Sequence, residues 1–353
     1  MSQSFEWARL IADIISGKDL DYDSSYWMMD QVMSGELGES RLASFLTAMV
    51  IKKPTVSEIR GLADAMQNHA VSVDLPTDAL DIVGTGGDGY KTVNISTMSA
   101  IVLASLGTPL IKHGNRASTS QSGSADVMEA LGVNLNHETE HMREIFDELN
   151  IAFLFANKVH PSMRFAAPVR RSLAFPTAFN ILGPLTNPAK VTSNAIGSSN
   201  PTNARLIAGV LADRGASALV FRGKETGLDE LSTVDVNEIW EIRDGEVTHS
   251  EFDPTEHFDM DPAAIGDLRG GDPDDNAVVV REILLGGGRK AVRDAVALNT
   301  AGGLIAYGKA QGVRPGDGSL VERFGVGIQM ARDAMNDGRA MNLLNRWIEL
   351  ASA

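Results

Sequence analysis

Leu80-Asp81-Ile82-Val83-Gly84-Thr85-Gly86-Gly87-Asp88-Gly89-Tyr90-Lys91-Thr92-Val93-Asn94-Ile95-Ser96-Thr97 is the stretch on which the fold turns. A short strand candidate, residues 80–83, ends in a glycine-rich turn, and an apolar helical pattern follows over residues 96–106. Strand, glycine turn and helix in that order open an α/β unit. The pattern then repeats. Leu110 and Ile111 read as a second strand leading to another polar turn, residues 124–131 as a helix stopped by Gly132, and residues 151–155 and 216–221 as further strands. This alternation predicts a mainly parallel sheet. Ligands of such sheets sit at the carboxyl ends of the strands, where the polar turns fall.

Residues 1 to 73 follow a different period. Trp7, Leu10, Ile11, Ile14 and Ile15 form one helical stripe, and Met28, Met29, Val32 and Met33 a second. Leu42, Phe45, Leu46, Met49 and Val50 form a third, and Ile59, Leu62, Ala63 and Met66 a fourth. Pro54 and residues 34–40 separate them. These positions read as core. The expected architecture is a small helical domain, 1–73, and a larger α/β domain, 74–353.

The chain of 353 residues is 43% hydrophobic and 22% charged, values of a globular protein with a sizeable core. It has no cysteine, which removes disulfides and thiolate chemistry. No basic, apolar leader opens it and no apolar run reaches membrane-spanning length, so it reads as cytoplasmic. A net charge of -15 argues against nucleic acid or an anionic membrane as a partner. An anionic small molecule then requires cations gathered locally.

Four segments carry that chemistry. Gly84–Gly89 can bring backbone N–H groups onto a ligand, and Ser96 or Thr97 can cap a helix whose N-terminus favours an anion. The turn also matches G-x-G-x-x-G through Gly84, Gly86 and Gly89. A dinucleotide site would need an acid after the next strand, and Lys112 and His113 stand there instead. Residues 112–124 gather Lys112, His113, Asn115, Arg116, Ser118, Thr119, Ser120, Ser122 and Ser124, with no acid before Asp126, which points to phosphate. His160–Arg164, Arg170 and Arg171 offer guanidinium forks for a carboxylate, although adjacent arginines on a helix face different ways. Asp229 and Glu230, after a strand, suit Mg²⁺ bound with substrate phosphates; a helix N-terminus explains them equally well. His137-Glu138-Thr139-Glu140-His141 matches the zinc-protease pattern but reads as a polar first turn. Gly266–Asp275 reads as plain surface.

Together, Gly84–Asp88, Asn94–Thr97, Lys112–Arg116, Ser122–Asp126, Asn180–Pro188 and Gly227–Glu230 resemble the anthranilate phosphoribosyltransferase family over nearly the whole chain. The resemblance implies transfer of phosphoribose from phosphoribosyl pyrophosphate (PRPP) to anthranilate, an early step of tryptophan synthesis. It also implies a helical domain with a discontinuous contribution from about 164–187, and a homodimer formed through that domain. Gly84, Gly87, Asp88, Thr92, Asn94, Ile95, Ser96, Thr97, Lys112, His113, Gly114, Asn115, Arg116, Ala117, Ser118, Thr119, Ser120 and Ser124 would hold PRPP. Gly84, Asn115 and Arg170 would contact anthranilate, and Ser96, Asp229 and Glu230 would hold Mg²⁺. The resemblance assigns no general base.

Thr119, Arg222–Thr226 and Thr233–Asp235 depart from the family pattern, the last two beside the acid pair. A pyrimidine nucleoside phosphorylase, a transferase for another aromatic amine and a non-catalytic nucleic-acid-binding relative remain as alternatives. The net charge speaks against the last.

Overall fold

The computed structural model describes residues 6–117 and 121–352, so Ser118, Thr119 and Ser120 lie outside the described residues. The chain divides into two units: Met1–Ser72 with Asn157–Pro188, and Val73–Ala156 with Ala189–Ala353.

The first unit is built on helices Trp7–Ile15, Tyr22–Met33, Glu39–Lys52 and Val56–Asn68. Their starts are written locally. Asp21 accepts from Ser24 N at 2.8 Å, and Thr55 with Glu58 forms a capping box. The stripes bury for the most part as expected, with Trp7 and Ile11 half-buried and Ile15 and Val50 74% and 41% exposed. The buried carboxylate of Glu58 meets the Lys52 ammonium at 2.7 Å and the Leu20 N–H at 2.8 Å. The 157–188 insertion is fastened by Val71 N to Val159 O at 2.8 Å and Gln67 Nε2 to Asn187 O at 2.6 Å. Within it, buried His160 bonds the Thr186 carbonyl at 3.0 Å. Burial pushes the His160 imidazole down to about 4, against the pull of that carbonyl.

The second unit is built on a seven-stranded sheet: β1 Leu80–Gly84, β2 Leu110–Gly114, β3 Ile151–Phe155, β4 Ser193–Gly197, β5 Ser217–Gly223, β6 Asn237–Arg243 and β7 Glu246–Phe252. The order is β3-β2-β1-β4-β5-β6-β7, parallel through β5 and antiparallel for β6 and β7. The mainly parallel α/β sheet read from the sequence is therefore present. β2 is longer than expected, because Lys112, His113 and Gly114 belong to the strand and not to the turn. The β6–β7 hairpin turns on Asp244-Gly245, both at positive φ (50° and 79°), as a two-residue hairpin loop requires.

Helices Ile95–Ser105 and Lys290–Tyr307 are buried along nearly their whole length. The chain leaves β1 toward β2 on one side, while β4 lies on the other. The carboxyl ends of β1 and β4 therefore form a topological switch point, the usual ligand position in such sheets. Among the described residues no helix is long and apolar enough to cross a membrane.

Candidate active site

At the switch point, Gly84 of β1 is the register partner of Gly197 of β4. A Cβ on Gly84 would collide with the Asp229 carboxylate, and one on Gly197 with the Asp229 carbonyl. Two glycines are needed here because a third segment, residues 224–236, lies across both strand ends. The glycine-rich loop is tied to it. Gly86 N donates to Asp229 Oδ2 at 2.7 Å, and Tyr90 Oη to Thr226 O at 2.8 Å. Ser199, just past β4, donates through Oγ to Gly86 O at 3.0 Å.

Asp229 and Glu230 begin no helix, so the alternative reading of the pair fails. They are buried, and the backbone after them is held by side-chain amides. Asn299 accepts from Leu231 N at 3.2 Å and donates to its carbonyl at 2.8 Å. Asn237 does the same for Ser232, at 3.0 and 2.8 Å. Each asparagine stands in for the missing strand or helix partner. The two departures from the family pattern also meet here, since Asp235 accepts from Thr226 N at 2.8 Å and from Lys224 N at 2.8 Å.

Burial and the neighbouring Asp88 push the Asp229 carboxyl up to about 7. Burial and Asp229 hold Glu230 well above the usual carboxylate range, against the attraction of Lys112. Among the described residues, Asp88 Oδ2 is buried without a hydrogen-bond donor and lies against the Asp229 carboxyl. Three acids thus converge with one cation nearby, a set short of positive charge. Together with Ser96 it supplies only oxygen donors, the ligand type of a hard divalent cation.

The cations differ from the sequence expectation. Lys112 is fully buried, its ammonium spent on the Ile82 carbonyl and on Ser96 Oγ at 3.3 Å. It reaches the site through Ser96 rather than from a solvent-facing turn. Burial lowers its pKa, opposed by Asp81 and Glu230. Arg116 is exposed but already paired with Asp126 at 3.2 Å and Glu129 at 2.6 Å, and it sits over Phe155. The two cations of residues 112–116 are therefore both engaged within the fold. What the turn offers is backbone and hydroxyls: Ser124 Oγ and Ala125 N bond the Asn115 carbonyl, at 3.3 and 3.1 Å. His113 is buried, with its N–H on Asp81 at 3.2 Å.

The cap expected of Ser96 or Thr97 is not made. Asn94 is the N-cap residue, and both hydroxyl residues lie inside the first turn. The Asn94 side chain instead donates to Ser122 O at 3.1 Å and accepts from Asn276 at 3.0 Å. Among the described residues, Thr97 Oγ1 is buried without a partner.

Gly266–Asp275 is not plain surface. Val93 N bonds Leu268 O and Gly270 N bonds Lys91 O, both at 2.9 Å, so this loop braces the glycine-rich segment through a bridge between Thr92 and Arg269. The sequence reading missed it. Its signal was Asn276, a polar residue on the apolar face of helix Pro273–Leu284 and 1% exposed.

Arg170 belongs to the first unit, and Gly84 and Asn115 to the second. It lies on helix Ala167–Leu173 over the Phe179 ring at 5.0 Å, half-buried and, among the described residues, without a carboxylate partner. Burial lowers its pKa. Arg171, on the same helix, is exposed. The zinc-protease pattern carries no site. Helix Thr139–Leu149 begins after His137, and His141 is bonded to Glu144 and to Leu350 O, each at 3.0 Å.

Comparison with known proteins agrees with this geometry. Residues 8–70 match the helical bundle domain of a glycosyl transferase family, and residues 76–341 match its a/b domain. The anthranilate phosphoribosyltransferase of Arthrobacter sp. (strain FB24) is 49% identical over 98% of this chain and 96% of its own length. The crystal structure of the Thermus thermophilus enzyme of the same name is 38% identical, with a TM-score of 0.87 over 97% of this chain and 99% of that one. The Saccharomyces cerevisiae enzyme in complex with PRPP and Mg is 26% identical, with a TM-score of 0.85 over 98% of both chains. With a glycine-lined switch point, an acid pair lying across it and this similarity over its whole length, the chain belongs to the anthranilate phosphoribosyltransferase family.

Proposed function

We propose that this protein transfers the 5-phosphoribosyl group of PRPP to the amine of anthranilate, giving N-(5-phosphoribosyl)anthranilate and pyrophosphate. One observation carries the reading beyond family membership. The glycine-rich loop, the start of helix Ile95–Ser105, Lys112 and the acid pair are joined by direct contacts around Gly84. A diphosphate needs backbone amides, hydroxyls and a cation site together, and this cluster supplies them.

Gly84, Gly87, Asp88, Thr92 and Asn94–Thr97 line the donor site in this reading, with Gly114, Asn115, Ala117 and Ser124 completing it. Ser96, Asp229 and Glu230 would hold Mg²⁺. The buried acids with too little positive charge around them and the oxygen-only donor set fit that ion. The chemistry it supplies when bound is neutralisation of charge on the departing pyrophosphate.

The chain's own groups do the rest. Loop amides and the Ser96 hydroxyl orient the diphosphate, and Lys112 fixes Ser96 from below. Arg170, whose guanidinium has no carboxylate partner among the described residues, is the first unit's candidate for the anthranilate carboxylate. Asn115 and Gly84 position its amine, which is mostly neutral at pH 7 and needs no assigned base. A cytoplasmic homodimer built on the first unit belongs to the same reading, supported by Ile15 and Ile51, which are 74% and 77% exposed there.

The test is anthranilate fluorescence on addition of PRPP, with and without Mg²⁺. A metal-dependent loss of signal is expected. No loss in folded protein that still binds PRPP would move the acceptor to another amine.

A further inference from the structure

Arg269 lies in none of the four segments that point to a donor site, yet the fold sets it beside one of them. Its loop runs antiparallel to the glycine-rich segment, with Thr92 and Arg269 as bridge partners. The bonds fall on either side of that pair: Gly270 N to Lys91 O and Val93 N to Leu268 O. Thr92 and Arg269 are thus a non-hydrogen-bonded antiparallel pair. In such pairs the Cα atoms are about 4.5 Å apart and both side chains leave the same face. The Arg269 side chain therefore rises next to the Thr92 hydroxyl.

The backbone there is fixed from the far side as well. Arg289 Nη1 donates to the carbonyls of Asp267 and Arg269, each at 2.9 Å. The guanidinium of Arg269 itself is exposed and, among the described residues, has neither an ion pair nor a hydrogen bond. This contrasts with the two cations of the second turn, since Lys112 is buried under Ser96 and Arg116 is paired with Asp126 and Glu129.

We propose that Arg269 is a further donor-binding residue, whose guanidinium holds a phosphate of PRPP at Thr92. The proposal rests on the placement of the donor site given above. A phosphate monoester or diphosphate is the chemical class that a planar fork with unused N–H groups recognises.

The test is the dissociation constant for PRPP, titrated with Mg²⁺ and without anthranilate, in wild-type protein, Arg269→Gln and Arg269→Lys. Arg269→Gln should weaken PRPP binding roughly ten- to a hundredfold, the range for a charge-assisted hydrogen bond. Arg269→Lys should recover part of the loss, because it restores the charge without the fork. Added salt should weaken PRPP binding more in wild type than in Arg269→Gln. The thermal midpoint and the anthranilate KM should stay at wild-type values, since the backbone of residue 269 carries the structural contacts.

Unchanged PRPP affinity in Arg269→Gln overturns the proposal. So does a loss that tracks a lowered thermal midpoint and is equal in Arg269→Lys. Should Arg269→Gln not fold, Arg269→Lys alone decides, with wild-type affinity overturning the proposal and a partial loss supporting it. A wild-type protein that binds PRPP without modifying anthranilate would sink the proposed reaction and leave this test standing. One that binds no PRPP would overturn both.

Discussion

Glu58 and the Asp229–Glu230 pair are buried carboxylates in different surroundings, and their charges are met differently. Glu58, in the helical unit, has the Lys52 ammonium at 2.7 Å and two backbone N–H groups, those of Leu20 and Thr55, on its oxygens. Asp229 and Glu230 are also buried, but their charged company includes another acid, Asp88, and both are pushed above the ordinary carboxylate range despite the attraction of Lys112 for Glu230. A charge taken out of water has to be paired or neutralised. Glu58 is paired inside the fold and so stabilises it. Asp229 and Glu230 have no such answer in Asp88, and in the proposed function Mg²⁺ would supply it.

That contrast can be broken by experiment. The largest effect should come from Asp229→Asn with Glu230→Gln. Transfer at saturating Mg²⁺ should fall on the order of a thousandfold, the equivalent of several kcal/mol. Calorimetry in EDTA should show a thermal midpoint no lower than wild type, because the substitution removes like charges from a buried site. A marked loss of apo stability would mean that these acids are structural, as Glu58 is.

Glu58→Ala should behave in the opposite way. It leaves the Leu20 and Thr55 N–H groups without their acceptor, while Lys52 keeps Asp19 at 2.6 Å, and should cost about 2–3 kcal/mol in urea unfolding. The Mg²⁺ midpoint of the folded fraction should not move. A cost below about 1 kcal/mol would remove the contrast from the other side.

His160 extends the comparison to a group that stays neutral. Its folded pKa is about 4, below the ordinary value of 6.5. The unfolded chain therefore binds the extra proton first. Stability from this group is complete above pH 6.5 and is lost as pH falls toward 4, by on the order of 3 kcal/mol. His160→Gln should flatten unfolding free energy across that window. An unchanged slope would show that His160 is not the group responsible.

Arg170→Ala should give the smallest change and the most specific one. Loss of a charged hydrogen bond, about 1.5–3 kcal/mol, should appear in the anthranilate KM and leave the PRPP KM unaltered. Equal shifts in both would end its assigned role.

Particular residues show how much of the fold and site is legible in the chain's own pattern. Ile151–Phe155 announces itself as a strand, because buried parallel strands are continuous apolar runs bounded by turns, and Leu80–Gly84 does so through Leu80, Ile82 and Val83 ahead of a glycine turn. Ser193–Gly197 does not, since Ser-Asn-Ala-Ile-Gly is buried by its neighbours and not by its own composition. Asp244-Gly245 carries a hairpin signal that is easily passed over, between strands whose polar outer edge obscures them. Gly84, Asp229 and Glu230 are readable as candidates from their motifs. Asn299, Asn237 and Asn276 are not, because a buried asparagine inside an apolar pattern looks like an exception until its partner appears.

The sequence by itself determined the local matters: the N-terminal helices and the most apolar strands, where glycines must turn, and which segments are rich in hydroxyls, cations or acids. These follow from periodicity, φ/ψ limits and side-chain chemistry within a few residues. Only the tertiary structure decided what those charges do. Lys112 is a cation in either case. Its burial beneath Ser96, the pairing of Arg116 with Asp126 and Glu129, and the placing of Arg269 beside Thr92 come from contacts made over 16, 10, 13 and 177 residues of chain. Electrostatics depends on distance in space and on exclusion of water, and neither is fixed until distant segments pack.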